Sequence, residues 1–311
     1  MENTTTVTDF FLLGFEGLQR CKFVLFVLVL MIYVGTVVGN LVIIALISLS
    51  HFFNSPMYFF LRHLSFCDIM FTTNIVPNML RVILEEGSKI SIPGCVAQYH
   101  IFGFSASTES FLLTVMSFDR YLAICNPLHY NAIMDLKLQF YLVTSSWMLS
   151  LMVTIVSLVL ICMLHFCGPD VINHFFCDVA PLIDLSCSDT SMLEMEIYVS
   201  SVPIVLLPFL FITGTYISIF VAIMRIPSTT GRQKAFSTCS SHLIVVCMYF
   251  GTLFAVYVVP IRETSREVNK ILSLLYTVVT PFFNPIIYSL RNQDIRVVLE
   301  KHICRRNIND K

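Results

Sequence analysis

Seven long apolar stretches constrain this chain more than any other feature: approximately 23–48, 57–80, 96–119, 138–164, 197–224, 236–260 and 270–290. Each is long enough to cross the roughly 30 Å hydrocarbon core of a bilayer as a helix, which takes about 20 residues. Unpaired backbone amides in lipid cost too much for open sheets or loops, so the stretches predict helices. The first and fourth hold no Asp, Glu, Lys or Arg from Phe23 to Ile47 and from Leu138 to Leu164. The second carries Arg62 and Asp68, and the third carries Glu109. Composition agrees, with 56% apolar and 13% charged residues and a mean hydropathy of +0.80. A soluble domain usually has about 25% charged residues to coat its surface. The net charge of −1 gives no argument for a nucleic acid or polyacid partner.

Orientation follows from the basic residues, which favour the cytoplasmic side. With the N-terminus outside, seven of the 19 lie on the outer side: Arg20, Lys22, Arg81, Lys89, Arg262, Arg266 and Lys270. The larger remainder lies inside. Residues 1–22 lack the basic start of a cleaved signal, so the first stretch is expected to serve as its own signal. Asn3-Thr4-Thr5 is a glycosylation sequon, useful only on the luminal side. The 165–196 loop holds Cys167, Cys177 and Cys187 with six acidic residues and no Lys or Arg. Cysteines grouped in a polar loop suit the oxidising side of a membrane. The expected organisation is therefore an outer segment 1–22, a membrane bundle 23–290 and a cytoplasmic tail 291–311. With Cys95 at the outer mouth of the third stretch, four outer cysteines allow three pairings, and spacing does not choose among them. Cys67, Cys162 and Cys247 are read as small buried side chains.

Ionisable residues inside a bilayer helix are expensive and face the bundle interior. Asp68 and Glu109 sit at similar depth on oppositely directed stretches, with Asn40, Ser110 and Asn284 as neighbours. Two readings stand side by side: a polar pocket that binds a cation or shares a proton, and a plain hydrogen-bond cluster. Asp119 beside Arg120 reads locally as an ion pair, which on an exposed surface is worth little. On the third stretch Phe102, Gly103, Ala106, Ser107 and Ser110 share one helical face. Pro285 in Asn284-Pro285-Ile286-Ile287-Tyr288 removes a helical hydrogen bond and permits a kink. Beyond it, 292–304 alternates Ile295, Val298, Leu299 and Ile303 with basic residues, which predicts a short amphipathic helix on the inner leaflet. Cys304 beside it is a palmitoylation candidate. No metal or cofactor site is expected. A transporter would show internal repeats or paired broken helices, and a membrane enzyme a His-Glu-x-x-His or Gly-x-Ser-x-Gly string; the sequence has neither kind.

Several strings are more specific. In order they are Gly39-Asn40, Pro56-Met57-Tyr58-Phe59-Phe60-Leu61, and Leu64-Ser65 with Asp68 after it. Then come Met116 to Cys125 around Asp119-Arg120-Tyr121, and Asn126-Pro127-Leu128-His129-Tyr130. Lys234-Ala235-Phe236-Ser237-Thr238-Cys239-Ser240-Ser241-His242-Leu243 and Pro281 to Asn292 complete the set. Together, from Phe11-Leu12-Leu13-Gly14 to Arg291-Asn292, they resemble the olfactory (odorant) receptor family of rhodopsin-like G-protein-coupled receptors. Two strings depart from its pattern. Met116-Ser117-Phe118 stands where the family usually has Met-Ala-Tyr, and Tyr249-Phe250-Gly251 where it favours Phe-Tyr-Gly. The second exchange moves a hydroxyl about 100° round a helix.

The resemblance implies an all-α, seven-span bundle in the plasma membrane that is no enzyme. Its implied partners are a small, mostly apolar odorant and a stimulatory olfactory-type G protein that raises cyclic AMP. The alternative is a rhodopsin-like receptor for a non-odorant small molecule. Arg120 would hold the inactive state and contact the G protein on activation, with Asp119, Tyr121, Lys234 and Tyr288 around it. By family position, Ser200, Ser201, Ile204, Phe250, Leu253, Phe254, Tyr257, Leu274 and Thr277 would complete a ligand pocket with the face of the third stretch. The implied disulfides are Cys95–Cys177 and Cys167–Cys187.

Overall fold

The computed structural model describes residues 8–49, 55–167, 170–257 and 266–291. Asn3, the amphipathic stretch after Asn292 and Cys304 lie outside the described residues. The elements run β1 (Asp9–Leu12), α1 (Lys22–Leu49), α2 (Pro56–Glu85), β2 (Ser88–Ser91), α3 (Ile92–Cys125), α4 (Tyr130–Ile133) and α5 (Leu136–Cys162). There follow β3 (Val171–Ile172), α6 (Val179–Asp184), α7 (Ser191–Ser201), α8 (Leu207–Met224), α9 (Thr229–Tyr257), α10 (Arg266–Leu274) and α11 (Thr280–Arg291). Spans one to four are α1, α2, α3 and α5. Span five is α7 and α8 joined by a π-helical turn at Val202–Leu206, span six is α9, and span seven is α10 and α11 joined by a second π turn at Leu275–Val279.

The spans outrun the apolar stretches. α3 extends from Ile92 to Cys125 and span five begins at Ser191, because residues flanking an apolar run continue its backbone hydrogen-bond ladder. Ser91 caps α3 by accepting from the Gly94 amide at 3.3 Å, with Pro93 in the first turn. Asp135 caps α5 by accepting from the Leu138 amide at 2.8 Å.

The bundle is apolar outside and selectively polar inside, as a lipid solvent demands. α1 turns Phe23, Val24 and Met31 outward and buries Val29, Thr36, Asn40 and Ile43. Among the described residues, five helices are long and apolar enough to span, and α9 qualifies as two pieces bent by 42°. α2 fails that test for a physical reason. It carries polar groups along its buried face, where Ser65, Asp68 and Thr72 lie with Leu61, Leu64 and Phe71. Cys162 and Cys247 face outward, which corrects their reading as buried side chains; in lipid a thiol on the outer face needs no burial in protein. Cys67 is buried and donates to the Ser105 carbonyl at 3.1 Å.

One end of the bundle is closed by a lid. β1 pairs antiparallel with β2 (Phe10 opposite Ile90) and parallel with β3 (Phe11 opposite Val171), so Asp9–Leu12, the α2–α3 turn and Val171–Ile172 of the loop after α5 form one sheet. Disulfide Cys95–Cys177 ties that loop to α3, and Cys167–Cys187 ties it to the segment between α6 and α7. Gly87, at φ +123°, lies where a Cβ would come within 2.5 Å of the Phe11 ring, so a side chain there would pry β1 from β2. Asp119 and Arg120 sit at the opposite end.

Candidate functional site

Beneath the lid the walls are aromatic. The Phe102 ring lies 5.4 Å from Phe71, 5.3 Å from Phe176 and 6.1 Å from Tyr276, and Tyr276 lies 6.1 Å from Tyr249. His174, in the lid, packs 4.7 Å from Phe176 and 4.6 Å from Phe175. Burial, reinforced by the Lys270 charge, pushes the His174 imidazole down to about 3, so it is neutral at physiological pH. The structure brings Phe102, Ala106, Ser107, Ser110, Leu253 and Thr277 into the interior. Gly103 turns toward span four, where a Cβ would lie 3.7 Å from the Thr154 methyl. Phe250 and Phe254 pack on Phe209 at 5.7 and 5.1 Å, lining a groove of about 530 Å³ between α8 and α9. Ser201 is exposed, Ser200 and Leu274 are half-buried, and the Tyr257 and Lys234 side chains lie outside the described residues.

Every serine or threonine hydroxyl in that set already donates to a backbone carbonyl. Ser107 donates to Gly103 at 2.7 Å, Thr277 to Ser273 at 2.7 Å, Ser200 to Ile197 at 3.2 Å and Ser201 to Tyr198 at 2.7 Å. Ser110 instead crosses to span five and donates to the Ile204 carbonyl at 2.5 Å. The cause is Pro208, four residues beyond Ile204, which has no N–H to offer that carbonyl. The Tyr249 hydroxyl, in the string that departs from the family pattern, crosses to span three and donates to the Ala106 carbonyl at 2.8 Å.

In the middle of the bundle Asn284 Nδ2 donates to both Asp68 oxygens at 3.1 Å and reaches Glu109 Oε1 at 3.5 Å. Both carboxylates are buried, and no Lys or Arg forms a salt bridge with either among the described residues. The side-chain oxygens of Asn40 and Asn284 are buried acceptors without partners. Asn40 Nδ2 donates to the Thr36 carbonyl at 3.0 Å.

At the far end Arg120 Nε donates to Asp119 Oδ2 at 2.8 Å, and its guanidinium makes a second bond to the same oxygen. Asp119 Oδ1 accepts from the Tyr130 hydroxyl at 2.7 Å. This pair is buried, so the solvated-pair reading does not apply: separating the charges would leave each unpaired in a low-dielectric interior. Tyr121 is half-buried on the same turn. The Tyr288 hydroxyl is buried without a partner, within electrostatic reach of Asp68, Glu109 and Arg120. His242 joins three spans: its Nε2 lies 3.1 Å from the Leu113 carbonyl and its Nδ1 2.7 Å from the Tyr216 hydroxyl. The carbonyl can only accept, so Nε2 carries the proton and Nδ1 accepts from Tyr216. Tyr130 and His242 stood in quoted strings without a role. Tyr216 and Tyr276 had no sequence signal, because a lone tyrosine in an apolar stretch looks like packing.

The fold matches squid rhodopsin with a TM-score of 0.74 at 16% identity, covering 91% of this chain and 80% of that one. That likeness defines the fold: a rhodopsin-like bundle of seven helices. A family model described as olfactory receptor matches residues 29–306. Human olfactory receptor 11L1 is 46% identical over 305 residues, 98% of this chain and 95% of its own length. Human olfactory receptor 10A7 is 43% identical over 98% of this chain and 96% of its own length, and rat olfactory receptor 1468 is 41% identical over 99% and 98%. The chain belongs to the olfactory receptor family. It is a multi-pass plasma-membrane receptor and not an enzyme.

Proposed function

We propose that this receptor binds a small, neutral, mostly apolar odorant beneath the lid and activates a stimulatory olfactory-type G protein, raising cyclic AMP. The N-terminus and lid face outward and Arg120 faces the cytoplasm. The observation that carries the reading is the division along the bundle axis, with an aromatic-walled interior at the lid end and the buried Asp119–Arg120–Tyr130 unit at the other. An apolar lining with few polar groups suits recognition by shape and one or two hydrogen bonds. The ligand contacts are Phe102, Ala106, Ser107, Ser110, Ile204, Leu253, Leu274 and Thr277, with Ser200, Phe250 and Phe254 around them.

Between these ends, Asp68, Glu109, Asn40 and Asn284 form a cation or proton site. Two buried carboxylates sharing one amide donor need positive charge between them, and the two orphan amide oxygens offer further ligands for a cation. Occupancy holds spans one, two, three and seven together. An odorant panel on cells expressing the chain, read by cyclic AMP, tests the signalling reading. Responses are expected in the parent and lost in Arg120→Ala; a response unaffected by that substitution would refute the route through Arg120.

A further inference from the structure

We propose that Tyr249 and Tyr276 form a hydroxyl pair that recognises a hydrogen-bond acceptor oxygen on the ligand, and that a ligand taking the Tyr249 proton releases the Ala106 carbonyl and uncouples span six from span three. This rests on the ligand site proposed above and names the chemistry it selects.

The first support is the hydroxyl census. Serine and threonine hydroxyls on the expected pocket face are committed as donors to carbonyls of their own helix or, for Ser110, of span five. They can accept from a ligand, but none can donate without breaking a bond. The Tyr276 hydroxyl differs: it is buried, gives its proton to no carbonyl, and has the Tyr249 hydroxyl as a loosely placed polar neighbour. A desolvated donor so weakly engaged is costly, and a ligand that satisfies it removes that cost.

The second support is the bond Tyr249 already makes. It joins residues 143 apart in sequence, and the Ala106 carbonyl lies on the span-three face expected to meet ligand. Tyr249 is 1% exposed, so its bond is shielded from water and carries more weight than a surface contact. Ala106 itself is small and half-buried, so no bulky side chain on that turn shields its carbonyl. A carbonyl or ether oxygen entering there competes directly with the Ala106 carbonyl for the Tyr249 proton. Phe71, Phe102 and Phe176 wall the same region and favour a neutral, apolar remainder.

The third support is the exchange of neighbours at 249 and 250. Phe250 points to Phe209 on span five and offers no hydroxyl. The family's commoner order would place the hydroxyl there, about 100° away. This chain has moved it to the span-three side.

The test uses the purified full-length receptor and two probes of one skeleton: a medium-chain methyl ketone and the alkene in which a methylidene group replaces the carbonyl oxygen. Ligand-induced thermal stabilisation reads binding without a G protein. Wild type is expected to respond to the ketone at about tenfold lower concentration than to the alkene, the effect of one good hydrogen bond. Tyr249→Phe and Tyr276→Phe should each bring the two probes toward parity. In cells, Tyr249→Phe should raise ligand-free cyclic AMP relative to the amount of receptor at the surface. Equal responses of wild type to both probes, or a ketone preference that survives in both variants, would overturn the proposal. A ketone preference in binding with no cyclic AMP response would instead count against the signalling reading alone.

Discussion

At the scale of single residues, the structure sorts polar side chains by what they have left to offer. Ser110 and Thr277 look alike in the sequence as hydroxyls on inward faces. One ties span three to the carbonyl that Pro208 leaves open, while the other bonds within its own helix. Spacing places a hydroxyl on a face but does not reveal which carbonyl lacks an amide, so this distinction was not legible. His174 carries a pH consequence. Its pKa is held at about 3 in the folded lid, against about 6.5 in an unfolded chain. Between those values the unfolded chain holds the proton and the folded lid does not, so stability falls as pH falls through the window and is level above it. Thermal unfolding of the purified receptor should show that loss, and His174→Phe should flatten it; an unchanged slope would remove His174 as the cause. The Asp68–Asn284–Glu109 cluster makes a second prediction. Sodium should raise the thermal stability of the parent and have little effect on Asp68→Asn or Glu109→Gln. Sodium stabilisation that persists in both variants would leave a plain hydrogen-bond cluster.

At the scale of elements, apolar length located all seven spans, because lipid imposes one solution on the backbone. The ends were less legible, since α3 starts at a turn capped by Ser91 and span five at the polar turn from Ser191, neither of which hydropathy registers. The π turns at Val202–Leu206 and Leu275–Val279 were invisible, although Pro203, Pro208 and Pro281 beside them mark where the ladder lacks donors. β1 was also missed, because four residues in a short terminal segment carry too little periodicity. Packing between spans one and seven turns on small residues. A Cβ at Gly39 would sit 3.1 Å from the Pro285 ring, which cannot rotate away, whereas one at Gly214 would meet nothing within 4 Å. Gly39→Val should therefore lower the melting temperature and surface amount of the receptor, with Gly214→Val close to wild type. Equal effects from both would show that α1 does not rest on α11 as described.

At the scale of the whole molecule, an aromatic interior under a disulfide-tied lid, a polar middle and a buried Arg120 unit are strung along one bundle. Lateral bonds from Ser110, Tyr249 and His242 hold span three to spans five and six at successive depths. The sequence located Asp68, Glu109 and Arg120 because charge in an apolar stretch is conspicuous. The tyrosines that bond from span to span, Tyr216 and Tyr249, carry no such mark. The central claim is that ligand under the lid controls a G protein at the Arg120 end. Nucleotide exchange on a stimulatory G protein, measured with purified receptor reconstituted in vesicles, tests it most directly. Odorants that stabilise the receptor should accelerate exchange in the parent and not in Arg120→Ala, whereas stabilising odorants that leave the parent's exchange rate unchanged would contradict the account.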